Sequence, residues 1–400
     1  MLTSFALIFL CSVSLGAFFS RIHIPPLVGM LVTGIGLNAL GLIDPTIMAT
    51  SADLREIALI VILLRAGLAI DLSDLKAVGR PAILMCFVPA TCEMIVVTLV
   101  APLLFGITHV EAAIMGAVLG AVSPAVIVPR MLHIKAEGYG AKRSLPQLIM
   151  AGASVDDIYL IVLFTMFMSA QQGGGFGAWQ LATIPVSIVS GILAGVVVGI
   201  ALNFVFRRFH VRDTVKLLVI FSAAFLLVAA ENALKARLSG TDLFSSLLAV
   251  MALGVTLLRL HPKLAARLSN KFSKVWVVAE IVLFVLVGAA VTFDFSVGQA
   301  LKAVLLIVIA LGVGRFSGVL LSLLRTPFTA RERLFCVISY LPKATVQAAL
   351  GAIPLSQGVP GGDVILMVAV MAILVTAPLG DVLVRATYKR LLTREPVAAS

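Results

Sequence analysis

The chain has 400 residues, of which 61% are hydrophobic and only 12% are charged. Soluble proteins contain about 45–50% apolar and about 25% charged residues, so this composition excludes a soluble globular protein and indicates an integral membrane protein. The formal charge of +11 comes from lysines and arginines in short segments between apolar runs. This pattern is typical of membrane topology, and it argues against a nucleic-acid partner.

Thirteen apolar segments are long enough to be membrane spans. No basic residue precedes the first segment, so we interpret it as a span and not as a signal peptide. The stretches around 135–143 and 259–274 are predicted to be short polar loops. The spans are predicted at residues 2–20, 24–42, 54–71, 80–105, 109–132, 145–170, 179–206, 215–235, 241–259, 275–292, 299–324, 333–356 and 363–385.

Positive charge is unevenly distributed between the two predicted sides of the membrane. Most of the 30 lysines and arginines fall in the loops of one side, whereas the loops of the other side hold only Arg55, Lys235, Arg237 and Lys302. Cytoplasmic loops carry the excess of Lys and Arg. We therefore expect a multi-pass protein of the cell's inner (plasma) membrane, with its N-terminus outside and its C-terminus in the cytoplasm.

Spans 5 and 12 are interrupted by prolines, at Pro124 and Pro129 in one and at Pro342 and Pro354 in the other. Proline breaks helices, and a broken helix at membrane depth is tolerated only where it lines a cavity or is buried in protein. Because the two spans are seven apart, they run in opposite directions. This indicates inverted repeats, spans 2–6 and 9–13, with two crossed discontinuous helices. Two ordinary kinked helices are the alternative.

Two adjacent carboxylates, Asp156 and Asp157, lie in the middle of predicted span 6. Each costs roughly 2.5–3.5 kcal/mol at the bilayer centre, and carboxylates at this depth bind cations, exchange protons or do both. Neighbouring helical residues point about 100° apart, so one aspartate can bind a transported ion while the other faces a partner. A capping or salt-bridging pair is the alternative.

Further charged residues are predicted at span depth, and these are Arg65, Glu93, Glu280, Arg315 and Lys343. Arginine keeps its proton in proteins, so Arg315 is predicted to be a fixed charge. A buried lysine can lose its proton, but Lys343 lies in a broken span, where we favour the neutralisation of helix ends. Arg65 and Glu280 are predicted to be structural charges whose partners the sequence does not identify.

Four stretches, at residues 54–71, 120–129, 153–157 and 341–351, occur in order along the chain. In these stretches the sequence resembles the monovalent cation/proton antiporters of the two-aspartate branch, and within that branch the NHA-type sodium/proton exchangers. The resemblance implies one membrane-embedded antiporter unit over 1–400, a homodimer and elevator-like movement. It also implies a dimerisation domain (about 1–75 and 213–293), an ion-transporting core (about 78–172 and 298–388) and a linking helix (176–210).

The resemblance also implies the roles of individual residues. Asp157 becomes the carboxylate that binds either the cation or the proton, with Asp156 beside it in the Na+ site. Ser123 falls in the region where the broken helices cross, and Arg315 pairs with Glu93. Electrogenic relatives carry a lysine at the position of Arg315, so arginine favours electroneutral exchange here.

The sequence thus predicts a transporter, without enzymatic activity or a cofactor, that exchanges Na+ or Li+ for H+. A K+/H+ antiporter, a sodium-coupled organic-anion carrier and a channel are the alternatives. An intramembrane aspartyl protease is improbable, because its two aspartates must face each other from different helices.

Overall fold

The computed structural model describes residues 1–69, 79–140, 143–172, 178–209, 211–237, 243–291 and 296–394. Within these ranges the regular structure is helical, and the one strand-like pairing is an isolated bridge between Tyr139 and Arg394. The predicted all-α class is therefore confirmed. Residues 70–71, at the end of the first family-like stretch, lie outside the described ranges.

Helices occupy all thirteen segments that were predicted as spans, and spans 5 and 12 each contain more than one helix. Among the described residues, nine helical stretches are long and apolar enough to cross a membrane, so the count of thirteen spans stays a prediction. The helices are α1 (Leu2–Arg21), α2 (Pro26–Ala39), α3 (Pro45–Ala49), α4 (Ser51–Ala69), α5 (Arg80–Phe105), α6 (His109–Leu119), α7 (Pro124–Ala136), α8 (Leu145–Gln172), α9 (Ala178–Arg208), α10 (Asp213–Arg237), α11 (Ser246–Leu260), α12 (Pro262–Ala290), α13 (Val297–Ile309), α14 (Phe316–Ser322), α15 (Ala330–Ser339), α16 (Thr345–Gly351), α17 (Ile353–Ser356) and α18 (Gly362–Leu391).

The helix interruptions coincide with prolines of spans 5 and 12. In span 5, α6 ends at Leu119 and α7 begins at Pro124, where the missing N–H of proline costs nothing because the first helical N–H has no intrahelical acceptor. Pro129 stays inside α7. In span 12, the extended segment between α15 and α16 contains Pro342. Both spans are therefore discontinuous helices and not merely kinked ones.

The predicted polar loop at residues 259–274 is wrong. Helix α12 begins at Pro262, and its first turns form an amphipathic helix. Leu264, Leu268 and Phe272 recur every four residues and are buried, which is the spacing of one helical face. The basic residues lie on the remaining faces, where Arg267 pairs with Asp213 at 2.9 Å. The high charge of the segment concealed this periodicity.

The chain divides into two compact units. The first unit contains Met1–Ala52, Asp71–Leu160 and Phe284–Ser400, and it holds both broken spans. The second contains Asp53–Ile70 and Ile161–Leu283.

A glycine ridge on α9 packs against α11 within the second unit. A Cβ atom added at Gly191 would lie 2.5 Å from the carbonyl oxygen of Ser245, and one at Gly199 would lie 2.8 Å from Cβ of Thr256. Only glycine permits so close a contact between the two backbones. The ridge of small residues is therefore a packing surface.

Candidate ion-binding site at the crossing of the broken helices

The two interruptions lie against each other inside the first unit. The backbone N–H of Ser123 donates to the carbonyl of Pro342 at 2.9 Å. From the other side, Nε2 of Gln347 donates to the carbonyls of Val118 and Ala121, at 3.1 and 3.0 Å. These bonds satisfy backbone groups that the broken helices leave without intrahelical partners. The crossing is thus a hydrogen-bonded polar region in which Ser123 and Gln347 are buried.

Asp156 is hydrogen-bonded to the chain just before α7, the second helix of span 5. Its Oδ2 accepts a hydrogen bond from the backbone N–H of Val122 at 3.1 Å, and the side chain is fully buried. Val122 precedes α7, whose N-terminal end carries partial positive charge. Asp156 is therefore held by a helix terminus, and it forms no ion pair with any described residue.

Asp157 lies on the neighbouring face of α8, and one of its carboxylate oxygens has no partner. Its Oδ1 is enclosed by protein and receives no hydrogen bond from any described residue. Oγ of Ser123 is also buried without a partner among the described residues, although Ser123 stands directly before α7. A buried anionic oxygen requires a proton or a cation. Oδ1 of Asp156 is likewise buried without a partner among the described residues, but the other oxygen of Asp156 is held by the backbone N–H of Val122.

Glu93 contrasts with the aspartates because two cations bind it. Its Oε2 lies 2.5 Å from Nε of Arg315 and 2.8 Å from Nζ of Lys343, and the three side chains are at most 2% exposed. The Arg315–Glu93 pair expected from the resemblance is present. Arg315 also donates to the carbonyl of Gly120, just beyond the end of α6. The helix-end contact that we expected of Lys343 is therefore made by Arg315, whereas the Lys343 ammonium binds Glu93.

A π-helical turn places Arg315 next to Glu93. Residues Ala310–Arg315 form this turn between α13 and α14. Such turns are frequent at functional sites. The chain can approach α5 closely because residue 314 is glycine: a Cβ there would lie 2.6 Å from Cα of Glu93. The sequence offered one signal for this arrangement, the two glycines that precede Arg315.

Sequence reasoning did not single out two further residues of the crossing. Gln347 holds the end of α6, as described above, and Oγ1 of Thr376 accepts the backbone N–H of Lys343 at 2.9 Å. Gln347 stands in the family-like stretch 341–351, where a polar side chain at span depth was a usable signal. Thr376 carried no such signal, because threonine is common in apolar helices, where it bonds to its own backbone.

Arg65 and Glu280 belong to the second unit. The guanidinium of Arg65 lies 5.9 Å from the centre of the Trp276 ring, within the range of a cation–π contact. Arg65 and Glu280 also interact electrostatically with each other. Each of these charges therefore has a partner that the sequence did not identify.

Comparison with known proteins identifies the family of the chain. Residues 5–388 match the family described as "Sodium/hydrogen exchanger, transmembrane". The mouse protein named sodium/hydrogen exchanger 9B2 is 30% identical over 413 residues, covering 97% of this chain and 73% of the relative. The human protein of the same name is 30% identical over 390 residues, covering 93% of this chain and 70% of the relative.

A solved structure shares the fold. The sodium proton antiporter MjNhaP1 from Methanocaldococcus jannaschii superimposes with a TM-score of 0.81 at 18% sequence identity, over 98% of this chain and 99% of that chain. The family match, the similarity to these relatives and the shared fold all concern transporters and not enzymes. The chain belongs to the sodium/hydrogen exchanger family and is a cation/proton antiporter.

Proposed function

We propose that this antiporter exchanges Na+ or Li+ for H+, and that Asp157 carries either ion but never both. The observation that carries the proposal is the enclosed, unpartnered Oδ1 of Asp157 beside the crossing of the two broken helices. Oγ of Ser123 and the Asp156 carboxylate are the nearby oxygens that would complete a small cation site. Hard monovalent cations prefer such oxygen ligands.

The formal charges of the crossing support a one-for-one exchange. Glu93 and Asp156 are acidic, and Arg315 and Lys343 are basic, so these four groups balance when all are ionised. Asp157 then contributes a single excess negative charge, which one proton or one Na+ neutralises. Either loaded form can move through a low-dielectric environment, whereas the empty, ionised form is held back by its desolvation cost. The fluxes of Na+ and H+ are therefore coupled, because the site crosses the membrane only when it carries one of the two ions.

The positions of the two basic residues favour electroneutral transport. Arginine does not release its proton, and Arg315 is bound to Glu93 and to the Gly120 carbonyl. The Lys343 ammonium is bound to Glu93, whereas Asp156 is held by a backbone N–H. No basic group paired with the aspartates is therefore available, among the described residues, to release a second proton when the cation binds.

The remaining expectations are part of the same proposal. A core of residues 78–172 and 298–388 would move against a dimerisation domain of 1–75 and 213–293 in an elevator-type cycle, linked by 176–210. The protein would act as a homodimer in the plasma membrane, with its N-terminus outside and its C-terminus in the cytoplasm. The asymmetric distribution of lysine and arginine supports this orientation.

Purified protein in liposomes with an inside-acidic pH gradient tests the proposal. We expect Na+ and Li+ to dissipate the gradient, with no change in a voltage-sensitive dye beyond that of protein-free liposomes. If only K+ dissipated the gradient, the transported cation would be K+ and not Na+ or Li+, and the exchange mechanism would stand. Dissipation by none of the three ions would overturn the proposed function, and Na+-dependent uptake of organic anions would favour the carrier alternative. A robust voltage change would overturn the electroneutral stoichiometry.

A further inference from the structure

A cavity lined by arginines lies in the first unit, at the ends of its helices, and none of its lining residues belongs to the crossing. Its volume is about 640 Å³. It is formed by the segment just before α8, the start of α15 and the chain at the end of α18. We call it the arginine cavity, because its lining includes Arg143, Arg331, Arg390 and Arg394. Glu332 is the acidic residue of the lining.

The walls of the cavity are fixed by local bonds. Gly140 donates its backbone N–H to the carbonyl of Thr393 at 3.0 Å, which holds the chain after α18 against the segment before α8. Leu392 is buried in the apolar core beneath. Glu332 accepts backbone and side-chain bonds from Thr329 and also binds Arg143 at 2.5 Å. The concave shape is therefore a property of packed elements.

The four arginines differ in what they bind. Arg143 is neutralised by Glu332, and Nε of Arg394 donates to the carbonyl of Glu137 at 3.3 Å. Arg331 and Arg390 are exposed and form no ion pair or hydrogen bond with any residue of the described ranges. Two guanidinium groups from different helices thus line one concavity, and the acidic side chain of its lining, Glu332, is bound to Arg143.

We propose that the arginine cavity binds the phosphate group of an anionic phospholipid. Guanidinium groups match phosphate oxygens with paired, charge-assisted hydrogen bonds. The start of α15, at Thr329 and Ala330, adds the N-terminal end of a helix, which also favours anions. Because α8 and α18 begin or end at this cavity, it lies at the level of lipid headgroups when these helices span a bilayer. The proposal does not depend on which ions the protein exchanges.

Thermal unfolding in an uncharged detergent tests the site, with short-chain phosphatidylglycerol, short-chain phosphatidylcholine or inorganic phosphate as the titrant. The test variant is the double change Arg331→Ala, Arg390→Ala. The matched control is Arg207→Ala, Arg208→Ala, which removes two exposed arginines at the end of α9 that do not line the cavity. Phosphatidylglycerol should raise the melting temperature of the wild type and of the control, and phosphatidylcholine should not.

In the test variant, the phosphatidylglycerol concentration at half-maximal shift should rise at least about tenfold, which is the effect of losing charge-assisted hydrogen bonds. Retained cation exchange in liposomes shows that the variant is folded, and a second variant, Arg331→Lys with Arg390→Lys, should recover part of the affinity. An unchanged midpoint, or an equal loss in the control, would overturn the proposal. Equal stabilisation by inorganic phosphate would overturn the assignment to lipid.

Discussion

Two carboxylates of the first unit, Glu93 and Asp157, each have an oxygen enclosed by protein but differ in what binds it. Glu93 is bound by two cations within 2.8 Å. Asp157 has an enclosed oxygen with no partner among the described residues. A charge with permanent partners is fixed in the structure, whereas a charge without them must take its partner from solution. The difference separates a residue with fixed partners from the residue that we propose carries the ion.

The largest expected effect is on transport, at the unpartnered site. Asp157→Asn removes the charge that the proton and the cation neutralise in turn in the proposed cycle, so Na+-driven proton flux in liposomes should fall to the level of protein-free vesicles. The matched control is Asp363→Asn, an exposed aspartate in the first turn of α18. Substantial flux in the Asp157 variant, or equal loss in the control, would mean that the contrast between the two carboxylates is misread.

The same contrast predicts the reverse order for stability. Glu93→Gln leaves Arg315 and Lys343 buried without their shared counter-charge, and such losses cost about 3–5 kcal/mol. Asp157→Asn breaks no ion pair, so its unfolding free energy should equal or exceed that of the wild type. Unfolding of both variants in the same detergent measures the difference. If Asp157→Asn were less stable than Glu93→Gln, the ion pairs of Glu93 would not be what stabilises the structure.

How much of this could be read from the sequence differs between helices and contacts. Long apolar runs located the helices, and prolines located both interruptions, because both signals act locally. The contacts depend on the rotation of each helix about its axis, which composition does not determine. Three features were therefore visible only in the structure. They are the π-helical turn that ends at Arg315, the hydrogen bonds of Gln347 and the hydrogen bond from Val122 to Asp156. The amphipathic start of α12 was missed because high charge was interpreted as a loop.

A smaller effect on stability is expected when Arg315, which pairs with Glu93, is changed to lysine. Arg315→Lys keeps the charge, but an ammonium cannot reproduce the forked geometry that bonds Glu93 and the Gly120 carbonyl together. The loss of one hydrogen bond to a charged group predicts a destabilisation of about 1.5–3 kcal/mol. Thermal unfolding checks the value, and a variant as stable as the wild type would show that the helix-end bond contributes little.

Competition for one carboxylate predicts how the apparent KM for Na+ depends on pH. Because a proton and a cation exclude each other at Asp157, the KM should rise by up to about tenfold for each unit of falling pH in the range where the carboxyl is protonated. Flux measured at several Na+ concentrations and symmetrical pH gives the slope. A KM that is independent of pH across the active range would be incompatible with a shared site.

The smallest effect is expected at Ser123, whose hydroxyl is proposed as a neutral ligand. Ser123→Ala removes a single uncharged contact, so the KM for Na+ should rise by about two- to tenfold, with the maximal rate nearly unchanged. A large loss of maximal rate would assign Ser123 a part in the movement of the crossing instead. The backbone bond from Ser123 to Pro342 stays in place in this variant, which makes the hydroxyl the only group that is tested.

The most direct test of the central claim is the number of protons released when Na+ binds to the purified protein in weakly buffered detergent solution. Calorimetry in two buffers of different ionisation enthalpy gives this number at a pH where the site is protonated. We expect one proton to be released for each Na+ bound, and neither binding nor release in Asp157→Asn. Two protons for each Na+ would show that a second group, with Lys343 the first candidate, titrates during transport. Unaltered binding by Asp157→Asn would show that the carboxylate without a partner is not the ion site.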